Sequence, residues 1–135
     1  MVKIYIDENF APQLAKALDV IQQHLNLQEK IEVRVLSIGE AFGRGAKDED
    51  WIPKAGKENS VVITQDLNIH RTRHQNELYK NHGLGVFFFK PPSKGYSFWE
   101  MLEQLVKHWP EIKKKLNTKR PFAYLITPKK LQILK

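Results

Sequence analysis

Short apolar runs alternate with amphipathic segments along most of this chain, and that alternation restricts the fold more than any other feature. Residues 2–6 (Val-Lys-Ile-Tyr-Ile), 31–38, 61–64 (Val-Val-Ile-Thr) and 85–90 read as strands. Between them lie segments with helical spacing: residues 12–26, where Leu14, Leu18, Ile21 and Leu25 share one face, residues 48–58 with Trp51, Ile52 and Ala55, and the polar stretch 70–82 closed by Gly83. Pro12 suits a first helical turn, where a missing N–H costs nothing. Residues 39–45 carry three glycines and read as a loop. A strand, a helix and another strand in regular succession call for a mostly parallel sheet with right-handed crossovers, an α/β fold layered helix, sheet, helix.

The last quarter opens differently. After the turn Pro91-Pro92-Ser93-Lys94-Gly95, the sequence Ser97-Phe98-Trp99-Glu100 is a capping box that starts a helix. Its apolar face is Phe98, Met101, Leu102, Leu105, Val106 and Trp109, and Pro110 either kinks it or begins a second short helix. Two apolar runs, 123–126 and 131–134, then form a hairpin or an exposed docking tail. Trp51, Trp99, Trp109 and Phe87 to Phe89 are assigned to the core, whereas Tyr96 and Tyr124 sit near lysines where stacking on bases is open.

With 135 residues, of which 41% are hydrophobic, the chain is expected to form one domain burying roughly two-thirds of its unfolded surface. Its core is expected over about residues 1–96, with a C-terminal helix and basic tail over 97–135. The chain has no cysteine, which removes disulfides, thiolate ligands and a thiol nucleophile. No apolar run approaches the roughly 20 residues of a membrane span. The early charges Asp7-Glu8 speak against a signal peptide, so a cytoplasmic protein is expected. The net charge of +7 lies entirely at one end: residues 1–100 hold 13 basic and 13 acidic side chains, residues 101–135 hold 9 and 2. Such a segment attracts phosphate or an acidic partner, although Lys113-Lys114-Lys115 also suit a helix C-terminus.

Chemistry concentrates in the acids that follow the strands. Asp7 and Glu8 end the first run, Asp66 follows the third, and Asp48 opens the helix before it. In a parallel sheet these carboxylates share the edge where α/β folds bind ligands. Carboxylates brought close together repel, so their pairing implies a cation, and oxygen donors of this kind suit Mg2+ or Mn2+. Each acid alone is equally a helix or turn cap. Glu49 and Asp50 read as surface charge, and Thr64 as a residue that orients a metal-bound water or pairs within its strand. His70 and His74 stand at i and i+4 without the Glu or third imidazole of a transition-metal site.

The segments Ile6-Asp7-Glu8-Asn9-Phe10, Gly45-Ala46-Lys47-Asp48-Glu49-Asp50 and Val61-Val62-Ile63-Thr64-Gln65-Asp66, in that order, resemble the PIN-like proteins, small prokaryotic nuclease-fold proteins often encoded as toxins of toxin–antitoxin pairs. The resemblance covers roughly residues 2–90. It implies a three-layer PIN-like fold, catalytic Asp7, Asp48 and Asp66, a metal site of these three with Glu8 and Asn68, and RNA as substrate. It further implies a cognate antitoxin as partner, with a homodimer possible. Asn68 and Ile69 depart from the family's pattern, which places a further acid where Asn68 stands. His70, Arg71, Arg73, Lys129 and Lys130 are the candidate RNA contacts. A phospho-receiver domain shares some of these signs, with Asp7-Glu8, Asp66 and Lys90-Pro91, but expects a fifth strand before its lysine. A PIN-like module that only binds RNA or a partner is the third reading.

Overall fold

The computed structural model describes residues 1–65 and 69–134, with residues 69–71 described by their backbone alone. Among the described residues, six strands and five helices follow one another as β1 (Val2–Ile6), α1 (Pro12–Asn26), β2 (Val33–Ser37), α2 (Ile38–Phe42), α3 (Asp48–Gly56), β3 (Ser60–Gln65), α4 (Ile69–Asn81), β4 (Gly85–Phe89), α5 (Phe98–Lys115), β5 (Phe122–Ile126) and β6 (Leu131–Ile133). They build one sheet in the order β2-β1-β3-β4-β5-β6, parallel except for β6. Two apolar clusters cover its faces. Leu14 and Leu18 of α1 and Met101, Leu105 and Trp109 of α5 pack on one face; Trp51 and Ile52 of α3 and Tyr79 of α4 pack on the other. The result is the three-layer α/β/α arrangement expected of the alternation.

The middle strands are apolar throughout because both of their faces are covered: every residue of β4 is buried, and β3 is buried from Ser60 to Thr64. Helix α1 turns a different face inward than its leucine spacing indicates. It buries Leu14, Ala15, Leu18, Asp19 and Gln22, while Ile21 is 48% exposed. The two polar side chains are satisfied inside. Asp19 accepts the backbone N–H of Val35 at 2.8 Å and both Nε and Nη2 of Arg34, and Gln22 accepts the Trp109 indole N–H at 3.1 Å. These bonds tie α1 to β2 and α5, which an apolar stripe alone could not indicate.

Other elements also differ from the sequence reading. The loop at residues 39–45 contains the end of α2, which Ser37 caps by accepting the Glu40 N–H. Helix α5 runs unbroken through Pro110 and begins with the expected capping box, but Phe98, Trp99 and Val106 are exposed rather than in the core. The apolar runs near the C-terminus are not a free tail. β5 joins the sheet parallel to β4, with Phe87 stacked on Tyr124, and β6 returns beside it as a hairpin. No helix among the described residues is long and apolar enough to cross a membrane.

Candidate active site at the carboxyl edge

Strand order reverses between β1 and β3: the chain leaves β1 for β2 on one side and later passes to β3 and β4 on the other. At such a point the two crossovers diverge and leave a crevice beyond the carboxyl ends of the strands. Asp7 stands there, directly after β1. Its backbone N–H bonds to Ile63 of β3, and its Oδ2 accepts the hydroxyl proton of Thr64 at 2.7 Å. Thr64 is fully buried, so its hydroxyl is a fixed donor that sets the orientation of the carboxylate. Oδ1 accepts the Glu8 N–H at 2.6 Å. The Asn9 amide N–H points to Thr64 Oγ1 at 3.4 Å, and Gln65 Nε2 donates to the Asn9 carbonyl at 2.8 Å. A short polar chain thus links the ends of β1 and β3.

Asp7 and Glu8 line one hollow of about 340 Å³, together with Ser37, Glu40 and Arg44. The Glu8 carboxylate reaches across it to accept the Gly45 N–H at 3.0 Å. It also passes Gly39 so closely that a Cβ there would lie 3.1 Å from Oε1. Glu8 therefore braces the loop between α2 and α3, a role not read from its place beside Asp7. Arg44 is the functional candidate that sequence reasoning missed. It is an exposed guanidinium on the wall that carries Asp7, held between Gly43 and Gly45, whose φ angles of 100° and 73° suit glycine. The Gly-Arg-Gly triplet was its only signal.

Asp48 also lies at this edge, because α3 starts there and runs back toward the start of β3. Its Oδ1 accepts the Trp51 indole N–H at 3.2 Å, and its Oδ2 faces Gln75 Nε2 of α4 at 3.5 Å. It does not line the hollow that holds Asp7 and Glu8. Among the described residues no three acidic or imidazole side chains form a metal cluster. Asp66 and Asn68 lie outside the described residues, as do the side chains of His70 and Arg71. Arg73 and His74 are exposed near the start of α4. Lys129 and Lys130 are exposed in the turn after β5, at this same edge and roughly 14 Å from β1 across three strand spacings.

The described acidic side chains lining the Asp7 hollow are Asp7, Glu8 and Glu40, and their carboxylates are hard oxygen donors of the type that magnesium and manganese take. The arrangement places an oriented carboxylate and an exposed arginine around one hollow. A family model described as a PIN like domain matches residues 2–91. No curated protein and no solved structure matches the chain.

Proposed function

Since the chain belongs to the PIN-like domain family, a match that suggests a nuclease-type fold, we propose that it is a metal-dependent ribonuclease working at the crevice between β1 and β3. The observation that carries this reading is the Thr64–Asp7 bond at the point of strand reversal, which fixes a carboxylate where such folds bind ligands. Asp7, Asp48 and Asp66, aided by Glu8 and Asn68, would hold Mg2+ or Mn2+. Such an ion, when bound, would contribute Lewis acidity toward a phosphodiester. Thr64 holds the Asp7 carboxylate in place, Glu8 keeps the arginine loop against the hollow, and Arg44 offers a planar pair of donors to a phosphate oxygen. In this reading the protein is the toxin of a toxin–antitoxin pair, and a cognate antitoxin would act by covering the edge.

A phospho-receiver reading gains one observation, because a fifth parallel strand exists and the strand order 2-1-3-4-5 is that of receiver-type folds. Its lysine is nevertheless misplaced, since Lys90 follows β4 and not β5. The deciding measurement is Mn2+- and Mg2+-dependent cleavage of a mixed RNA pool by the wild type, Asp7→Asn, Asp48→Asn and Asp66→Asn, each checked for folding. Cleavage abolished in Asp7→Asn and Asp66→Asn supports the nuclease. No cleavage, with Asp66 modified by acetyl phosphate, replaces it with the receiver.

A further inference from the structure

A second hollow, of about 230 Å³, opens on the other side of residues Phe10 and Ala11, which line both it and the hollow of Asp7. Its floor is apolar, with Leu14 and Met101, and its mouth is aromatic, with Tyr96 and Phe98. Phe98 is 46% exposed and Trp99 beside it 75% exposed, with their rings edge to face at 6.0 Å. Two large aromatics left in solvent at the start of a helix that buries Met101, Leu105, Trp109 and Ile112 call for an explanation. The polar wall is made of Asn9 and Gln65. Among the described residues the Asn9 amide oxygen is buried without a hydrogen-bond partner, and its amide nitrogen makes the long 3.4 Å contact to Thr64. Asn9 therefore carries unspent donor and acceptor capacity beside an aromatic hollow, one residue from the Asp7-Glu8 pair.

We infer that this second hollow is a subsite for one unpaired base of the RNA strand, flanking the phosphate held at Asp7. The inference rests on the ribonuclease reading for the identity of the polymer. A volume below the roughly 300 Å³ of ordinary ligand pockets suits a single heterocycle. Phe98 and Tyr96 supply faces for stacking, which all bases accept, and the Asn9 and Gln65 amides supply the hydrogen bonds that tell one base edge from another. Because the two hollows share Phe10 and Ala11, a strand crossing that ridge places a base in one and its neighbouring phosphate in the other.

The test measures binding of a short single-stranded RNA by fluorescence anisotropy in the uncleaving Asp7→Asn background. Alongside it, saturation-transfer NMR on the otherwise wild-type protein uses adenosine, guanosine, cytidine and uridine. Phe98→Ala is expected to weaken RNA affinity about tenfold. Phe98→Tyr should restore it, and Asn9→Leu should alter the ranking of the nucleosides; circular dichroism confirms that each variant folds. Equal RNA affinity and equal nucleoside contacts with and without Phe98 overturn the subsite, and if metal-dependent cleavage persists the ribonuclease reading stands. Nucleoside binding that depends on Phe98, in a protein that cleaves no RNA, keeps the subsite and overturns the ribonuclease reading.

Discussion

Single hydrogen bonds decide much of what this molecule can do. The Thr64 hydroxyl donates to Asp7 from a fully buried position, so Thr64→Val keeps the shape of β3 and removes the donor. Mn2+ affinity by calorimetry, and cleavage rate with it, should fall about 10- to 100-fold, as for other groups that orient a ligand. A smaller change would mean that Asp7 is oriented by other contacts. Asp19 illustrates the same economy away from the site. Burial raises its pKa, but the bonds from Arg34, Val35 and Gln23 outweigh this and hold it below the usual carboxylate range. A depressed folded pKa stabilises above the unfolded value near 4, and the gain is lost as pH falls through the folded pKa. Asp19→Asn should therefore cost about 1.5 kcal/mol at pH 7, the low end for bonds to a charged group because Arg34 is partly exposed. That difference should shrink in acid, as read by urea unfolding at pH 7 and below pH 4.

At the level of elements, close approach matters as much as apolar pattern. α3 and the turn that follows α4 meet so tightly that a Cβ on Gly56 would lie 2.3 Å from the His82 carbonyl oxygen, a backbone atom that cannot swing aside. Gly56→Ala should destabilise by about 1–3 kcal/mol, visible as a lower urea midpoint; an unchanged midpoint would show that α4 can slide. Spacing alone placed residue 56 within the helical segment 48–58 and revealed nothing of this contact. The capping box of α5 was legible because its bonds are local, between Ser97 and Glu100. The inward face of α1 was misjudged because Asp19 and Gln22 are satisfied by β2 and α5, partners distant in sequence.

Across the whole molecule the fold divides the basic C-terminal quarter into two populations. α5 starts at the carboxyl edge and ends at the opposite one, carrying Lys113 to its ion pair with Glu29 and setting Lys115 over the Tyr124 ring at 5.6 Å. β5 then returns the chain to the carboxyl edge, where Lys129 and Lys130 stand exposed. If RNA crosses that edge, Lys129→Ala and Lys130→Ala should each lower the slope of log affinity against log salt by about 0.7, whereas Lys114→Ala should not. Equal slopes in all three would remove the turn from the interface. The alternating strands and helices, the parallel α/β class, the capped start of α5 and the placement of Asp7 and Asp48 at element ends could all be read along the chain. Those features follow from periodicity and local bonds, which act between neighbours in the chain. Long-range packing set the rest: β5 and β6 extend the sheet, Thr64 holds Asp7, Arg44 lines the same hollow, and Phe98 and Trp99 stay in solvent. Each of these depends on which distant segments the crossovers bring together.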